Sequence, residues 1–173
     1  MKELYSLRGL DVYQKNLYQV VLRGKGDEKF KEILDKEISL SPPLENLKIE
    51  QNEKFLIAKH SFDQWNLFYL EKKEHKEVLK MVSNFNSHEQ ILASDYSYGQ
   101  VYFELKGDKK NYYLNKLTHF DLRLKKFPAS TMAQTIIARI DCSIYHLNDK
   151  FIITCNSSLE EYFKERLLDA INL

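Results

Sequence analysis

The last third of the chain, Phe127–Asn172, decides the fold, and its centre reads IDCSIYHLNDKFIITC over residues 140–155. Both halves of this stretch are rich in β-branched and aromatic residues, which favour strands. Asn148-Asp149 between them suits a two-residue hairpin turn of the kind that requires positive φ at both positions. The register that follows pairs 147 with 150, 146 with 151, 144 with 153, and 142 with 155.

The hairpin register divides the side chains between two faces. The more apolar face, which we expect to be buried, carries Cys142, Ile144, Phe151, Ile153 and Cys155. The two cysteines are then directly opposed in a pair that lacks ladder hydrogen bonds, with Cα atoms about 4.5 Å apart. That spacing permits a disulfide, but two cysteines without a metal-type spacing suit a reduced cytoplasm. The sequence therefore predicts adjacent, buried and unbonded thiols.

The closing segment, Ser158–Ile171, is predicted to be a helix. Ser158 followed by Glu161 fits a capping box, in which side chains satisfy the free amides of the first turn. Apolar residues recur at three- and four-residue spacing, so they share one face, and core packing is their expected role. They are Leu159, Tyr162, Phe163, Leu167, Ala170 and Ile171.

The rest of the chain alternates predicted strands and helices. Residues 1–15 are mixed in character, and we expect them to be partly irregular. Asp27 and Asp108 are each placed to cap a helix, and Pro42-Pro43 ends the first of these. A third helix is predicted at about 76–85. Strands are predicted at 16–23, 54–60, 65–70, 91–96 and 100–105, and a loop at 121–130 leads through 131–138 to the hairpin.

Two short motifs recur at a constant separation. Gln-Val is found at 19 and again at 100, and Lys-Gly-Asp at 25 and again at 106, so both are shifted by 81 residues. In each place a predicted strand runs into Lys-Gly-Asp and then into a helix. The repeat indicates an α+β fold built from a duplicated unit of antiparallel strands and helices. We expect a single domain, residues 1–173, with halves at about 1–88 and 89–173.

Composition excludes several classes of function. The chain has 173 residues, of which 43% are hydrophobic, so it is long enough and apolar enough for one domain with a real core. A net charge of +1 gives no support to a nucleic-acid partner or an anionic membrane. No apolar run is long enough for a membrane span or a signal peptide, so the expected location is the cytoplasm.

The sequence shows no self-contained active site. None of the five histidines has a second His or Cys at a metal-binding spacing. Gly24-Lys25-Gly26-Asp27 fits neither nucleotide-binding pattern, and its Asp would repel an anion, so a strand–turn–helix corner is the simpler interpretation. Cys142 and Cys155 lie on an apolar face without a nearby base. We therefore expect no catalytic, cofactor-binding or metal-binding residues in this chain.

Residues from about 121 to 171 resemble the gamma subunit of heterotetrameric sarcosine oxidase. The matching features are Asp121-Leu122-Arg123, Phe127-Pro128, Ala133-Gln134-Thr135, Ala138-Arg139, the hairpin with Asp149-Lys150-Phe151, and the helix from Leu159-Glu160-Glu161-Tyr162 to Leu168-Asp169-Ala170. Family members commonly carry a glycine after Phe-Pro-Pro, where this chain has Ala129-Ser130, so the loop differs locally.

The resemblance implies a fold like the folate-binding domain of the glycine-cleavage aminomethyltransferase. It implies a non-catalytic accessory subunit that packs on a larger alpha subunit, with beta and delta subunits in the same complex. That complex oxidatively demethylates sarcosine and passes the one-carbon unit to tetrahydrofolate. FAD, FMN, NAD and tetrahydrofolate are then expected on the other subunits. The alternatives are a free-standing folate-binding, aminomethyltransferase-like protein and an unrelated protein-interaction module.

The loop that contains Phe127 and Pro128 is the predicted contact with the alpha subunit. Aromatic anchors dominate the binding energy of many interfaces. The alternative is that the Phe127 ring fills the core of its own chain.

Overall fold

The computed structural model describes residues 2–71 and 74–173, which form two compact units. The continuous unit is Leu17–Ser97, and the split unit combines residues 2–16 with Tyr98–Leu173. Each unit has its own cluster of buried apolar side chains. Within the described residues, no helix combines the length and apolar character needed to cross a membrane.

Eleven strands and four helices make up the described parts of the chain. The strands are β1 (Lys2–Leu7), β2 (Leu10–Lys15), β3 (Gln19–Gly24), β4 (Ile49–Gln51), β5 (Phe55–Lys59), β6 (Gln64–Tyr69), β7 (Ile91–Asp95), β8 (Gln100–Lys106), β9 (Thr131–Ile137), β10 (Ile140–His146) and β11 (Lys150–Asn156). The helices are α1 (Glu28–Ile38), α2 (His75–Asn86), α3 (Lys110–Leu114) and α4 (Glu160–Asn172).

The two units repeat one topology, as the sequence repeat predicted. The sheet of the continuous unit has the order β4-β5-β6-β3-β7, and the sheet of the split unit reads β9-β10-β11-β8-β2-β1 in the same direction. All neighbouring strands are antiparallel. In each unit a central strand, β3 or β8, leads to a helix, a three-strand meander and a second helix. The fold is therefore α+β and duplicated.

The division between the two compact units does not follow the order of the repeat along the chain, whose halves the sequence analysis placed at about 1–88 and 89–173. Strand β7 pairs with β3, although it runs directly into β8 along the chain, and β2 pairs with β8, although it runs directly into β3. One copy of the repeat therefore runs from β2 to α2 and the other from β7 to α4. The first strand of each copy, β2 or β7, pairs in the sheet formed by the other copy. The first residues of these two strands, Leu10 and Ile91, are 81 residues apart, as are the repeated motifs.

The N-terminal segment is regular, which corrects the prediction that residues 1–15 are partly irregular. Strands β1 and β2 form a hairpin whose turn, Arg8-Gly9, has φ of 51° and 79°. Leu10 and Val12 are fully buried in the core of the split unit. Pairing with a strand almost a hundred residues away stabilises this segment, and such long-range pairing leaves no local signal.

The glycine of each Lys-Gly-Asp motif is required by packing and by backbone conformation. Gly26 has φ of +66°, and a Cβ there would lie 2.8 Å from the Trp65 ring. Gly107 has φ of +101°, and a Cβ there would lie 2.3 Å from the carbonyl oxygen of Gly9. Only glycine tolerates both conditions. These corners are therefore strand–turn–helix connections, as predicted, and their glycines serve packing.

The predicted helix cap is correct at one corner and wrong at the other. The Asp27 carboxylate accepts a hydrogen bond from the amide of Phe30 at 3.0 Å and caps α1. Asp108 caps nothing, because α3 begins two residues later at Lys110 after an N-cap residue, Lys109, that makes no side-chain hydrogen bond. The second corner instead uses the backbone amide of Lys109, which donates to Gly9 O at 3.1 Å.

The β10–β11 hairpin has the predicted register. The ladder pairs 142 with 155, 144 with 153 and 146 with 151, and the face predicted to be apolar lies in the core of the split unit. Tyr145 and Ile152 on the other face are buried as well. The predicted positive φ at Asn148 and Asp149 is wrong. Two hydrogen bonds between Leu147 and Lys150 close the two-residue loop, although neither loop residue has positive φ.

The closing helix begins differently from the predicted capping box. A 3₁₀ turn over Ser157–Leu159 precedes α4, and Asn156 is the residue that caps it. The Asn156 side-chain oxygen accepts hydrogen bonds from the amide and the hydroxyl of Ser158, at 2.9 and 2.8 Å. Ser158 is thus a donor to the cap and is not itself the cap. The core face of α4 is confirmed for Phe163, Leu167, Ala170 and Ile171.

Candidate interaction surface

A cleft of about 880 Å³ lies beside β9, the strand at one edge of the sheet in the split unit. We call it the β9 cleft. The second half of β9, the segment after α3 and one face of α4 form its walls. Its lining residues are Asn115, Lys116, Leu117, Thr118, His119, Phe120, Thr135, Ile136, Ala138, Arg139, Tyr162 and Arg166.

Three hydrogen bonds hold the walls of the β9 cleft in place. The Thr118 hydroxyl donates to Ile136 O at 2.7 Å, and the Ala138 amide donates to Leu117 O at 2.8 Å. The Tyr162 hydroxyl donates to Ala138 O at 3.0 Å, which joins α4 to the end of β9. The cleft is therefore formed by the folded chain itself.

The turn at the end of β9 has a strained backbone. Ala138 and Arg139 have φ of 54° and 68°, the left-handed region that glycine and asparagine prefer. Two consecutive residues with positive φ define the hairpin turn that normally carries Asn-Gly. The turn directs the chain sharply from β9 into β10 and places the exposed Arg139 in the lining of the cleft.

The charged side chains that line the β9 cleft are all basic: Lys116, Arg139 and Arg166. Arg166 is partly neutralised, because its guanidinium lies 3.0 Å from the Asp169 carboxylate and stacks over the Tyr162 ring. Lys116 donates to Ala170 O at 2.9 Å, near the end of α4. Among the described residues that line the cleft none carries a carboxylate, so their electrostatic character is cationic.

The apolar part of the cleft is unusually open to solvent for side chains of its kind. Ile136 is 58% exposed on β9, and Tyr162 is 38% exposed on α4. Leu117 and Phe120 are half-buried and pack against the core of the split unit. Exposed apolar groups surrounded by polar ones are typical of protein-interaction sites.

Phe127 and Pro128, the residues predicted to contact a partner, have different environments. Phe127 is only 2% exposed and packs against the rings of Phe120, His146 and Phe151. His146 donates from Nδ1 to Phe127 O at 2.7 Å, which fixes the loop to the hairpin. The ring thus fills the core of its own unit, as the alternative proposed, and Pro128 is exposed beside it.

A buried carboxylate on β8 is a feature that the sequence analysis missed. Glu104 is 1% exposed, and its oxygens lie 2.6, 3.0 and 3.2 Å from the ammonium groups of Lys15, Lys106 and Lys150. Burial opposes its ionisation, but the hydrogen bonds and charges of the lysines prevail and lower the pKa of Glu104 to about 2. The only local signal was an acidic residue inside an apolar strand.

The two cysteines are buried, opposed and unbonded, as predicted. The hydrogen bond with Cys155 and the burial of the thiol raise the pKa of Cys142 far above its ordinary value. A raised pKa disfavours the thiolate, which is the nucleophilic form. Because both thiols are also buried and unreactive groups surround them in the apolar core, the pair has the character of packed side chains.

The histidines lie in separate environments. His75 begins α2, where Nε2 lies 2.6 Å from the Asp95 carboxylate and the ring stacks on Tyr18. Burial lowers the pKa of His60 to about 4, and its Nε2 lies 2.9 Å from the amide nitrogen of Asn66. Over residues 2–71 and 74–173, no three His, Cys, Asp or Glu side chains form a metal-type group.

The fold defines the class of protein: a duplicated α+β module like that of the glycine-cleavage aminomethyltransferases. A crystal structure of aminomethyltransferase T of the glycine cleavage system from Bartonella henselae superposes with a TM-score of 0.69 at 12% identity. The match covers 94% of this chain but 46% of that one. The predicted fold class is thereby confirmed, and the chain corresponds to about half of that enzyme.

The chain belongs to the sarcosine oxidase, gamma subunit family, whose model matches residues 23–172. A chain in the structure of heterotetrameric sarcosine oxidase from Corynebacterium sp. U-96 in complex with pyrrole 2-carboxylate superposes with a TM-score of 0.83 at 16% identity. That match covers 98% of this chain and 87% of the other. No curated protein sequence matches. The family match confirms the resemblance and extends it well upstream of residue 121.

Proposed function

We propose that this protein is a non-catalytic accessory subunit of a sarcosine oxidase-like complex in the cytoplasm. The complex demethylates sarcosine oxidatively and transfers the one-carbon unit to tetrahydrofolate. In this proposal the alpha and beta subunits hold FAD, FMN, NAD and tetrahydrofolate, a delta subunit completes the heterotetramer, and the gamma chain packs on alpha.

The observation that carries the proposal is the extent of the family and fold matches. The family model spans 23–172, and the fold match to heterotetrameric sarcosine oxidase covers nearly all of both chains. The aminomethyltransferase match leaves more than half of that enzyme without a counterpart.

The described polar groups support the accessory role. The buried charges and thiols are satisfied within the chain: Glu104 forms ion pairs with its lysines, and the free thiols of Cys142 and Cys155 hydrogen-bond to each other. The corner glycines pack against Trp65 and against Gly9, so the close backbone approach that a phosphate would need is already used by the fold. The β9 cleft and the exposed Pro128 are surface features that suit contact with a partner subunit.

Co-expression tests the proposal directly. The chain should co-purify with the larger alpha subunit, and the complex should oxidise sarcosine with tetrahydrofolate as the one-carbon acceptor. The chain expressed alone should be colourless and should not oxidise sarcosine. A stoichiometric flavin on the isolated chain, or sarcosine oxidation by it, would overturn the non-catalytic role. Tight folate binding by the isolated chain would favour the aminomethyltransferase-like alternative.

A further inference from the structure

The β9 cleft combines exposed apolar side chains, here called its floor, with basic side chains, here called its rim. Ile136 and Tyr162 provide exposed apolar surface, and the charged lining is cationic throughout. A segment that fits such a cleft carries an apolar side chain for the floor and carboxylates for the rim.

Arg139 distinguishes this cleft from an ordinary solvated surface. The chain has five arginines, and within its described parts four of them have a partner: Arg8 donates to Ile171 O, and Arg23, Arg123 and Arg166 each pair with an aspartate. Arg139 alone among them has no hydrogen bond or ion pair. An exposed arginine in the lining of a cleft presents a planar, bidentate donor set that is suited to bind a carboxylate of another molecule.

The backbone at Arg139 supports the same conclusion. Arg139 and the preceding Ala138 both have positive φ, and glycine would adopt this turn without strain. Strained residues persist where the surrounding structure holds them, and they cluster at sites that bind ligands or partners. Hydrogen bonds from the Ala138 amide to Leu117 and from Tyr162 to Ala138 hold this turn.

We propose that the β9 cleft is the docking site for an acidic segment of the larger alpha subunit. An apolar side chain of that segment packs on Ile136 and Tyr162, and a carboxylate pairs with Arg139. This inference rests on the proposed accessory role and deepens it, because it assigns the contact to the edge of one sheet and gives the partner segment its charge.

Affinity measurements on the co-expressed alpha subunit test the docking site. Ile136→Asp places a carboxylate on the apolar floor, and Arg139→Glu reverses the charge of the rim. Each should weaken binding at least about tenfold, and the effect of Arg139→Glu should diminish at high salt. Leu92→Asp is the matched control for the first, since Leu92 is 60% exposed on the edge strand β7 of the other unit. Lys80→Glu on the exposed face of α2 controls for charge.

Arg139→Gly separates binding from folding. Because the backbone strain is relieved, the melting temperature of the isolated chain should rise, while binding to alpha should weaken. Ser39→Gly is its control: Ser39 also has positive φ, at the end of α1, so this variant should melt higher and bind normally. A purely structural role for Arg139 would leave affinity unchanged in Arg139→Gly.

The possible results distinguish two failures. If the wild-type chain forms no complex with alpha, both the accessory role and the docking site are wrong. If the complex forms but both cleft variants bind like wild type, or no worse than Leu92→Asp and Lys80→Glu, the docking site alone is wrong. A dimer of the isolated chain that Ile136→Asp dissociates would assign the cleft to a second copy and would also overturn the inference.

Discussion

Cys142 and Cys155 face each other across β10 and β11, both buried, with their thiols unbonded. The pair belongs to the apolar face of the hairpin, so two small, weakly polar side chains fill space beside Ile144 and Ile153. Their proximity follows from the two-residue loop at 148–149, which sets the register for the whole ladder.

The first prediction is that these thiols react slowly in the native protein. Burial limits access, and the raised pKa of Cys142 disfavours its thiolate. Alkylation at neutral pH should be roughly a hundredfold slower than in the urea-unfolded chain, because it requires local opening. Mass spectrometry of labelled peptides measures both sites. Rapid labelling of either cysteine, or a disulfide between them in the freshly isolated protein, would contradict the structural role.

The second prediction concerns Glu104 and pH. Its pKa in the folded chain is about 2, below the ordinary value of 4.5. A depressed pKa means that the ionised group stabilises the fold above the ordinary pKa, and that this stabilisation is lost as pH falls from about 4.5 towards 2. The shift corresponds to about 3 kcal/mol. Glu104→Gln should therefore lower the free energy of unfolding by about that amount at pH 7, with the difference from wild type narrowing in acid.

Urea unfolding at a series of pH values measures this effect. Glu50→Gln, at an exposed position on β4, is the control and should change stability by less than about 0.5 kcal/mol. A difference between Glu104→Gln and wild type that stays constant down to pH 3 would show that the lysines do not stabilise the ionised carboxylate.

The third prediction separates the observed helix cap from the one the sequence suggested. Asn156 accepts from the Ser158 amide, so Asn156→Ala should cost about 1 kcal/mol of stability. Ser158→Ala should cost less, since the serine hydroxyl only donates to Asn156. Asp27→Ala, which removes the cap of α1, should match Asn156→Ala. Thermal unfolding of the three variants measures these losses of stability. A larger loss in Ser158→Ala than in Asn156→Ala would show that the predicted capping box is correct.

The fourth prediction concerns Phe127 and Pro128. Phe127→Ala removes a ring that contacts three others, so it should destabilise the isolated chain by about 3–5 kcal/mol. Pro128→Ala should leave stability nearly unchanged, because Pro128 is exposed. Assembly with alpha, measured at a temperature where both variants are folded, tests the predicted interface. Weaker assembly in Pro128→Ala would support this loop as a contact, and normal assembly in both variants would rule it out.

The sequence predicted the parts of the fold that depend on neighbouring residues. The hairpin register could be derived because a two-residue loop fixes every pair outward from Leu147 and Lys150. The exchange of β2 and β7 could not, since it joins Asp11 to Lys106 and Gly24 to Ile91. The resemblance, carried by local motifs after residue 121, identified the family correctly.

The β9 cleft and the Glu104 cluster were missed for the same physical reason. Each combines side chains from segments far apart in the chain: Lys116 with Arg166 in the cleft, and Lys15 with Lys150 around Glu104. In the sequence, these lysines and arginines cannot be distinguished from exposed charged residues elsewhere in the chain. Only the order of the strands in the folded sheet shows that they lie close together. The Phe127 ring could be assigned to its own core only once its neighbours were known.

The last prediction tests why Lys-Gly-Asp is repeated at all. Gly107→Ala would place a methyl group 2.3 Å from the backbone oxygen of Gly9 at a φ of +101°, so the turn from β1 to β2 would have to move. Gly26→Ala would meet the Trp65 ring at 2.8 Å with φ of +66°. Both should lose at least about 2 kcal/mol, because positive φ and a close contact each penalise Ala. Gly107→Ala should lose more, since backbone yields less readily than a side chain. Urea unfolding of the two variants measures the order, and equal stability to wild type in either would show that the repeated glycine is not required by the corner.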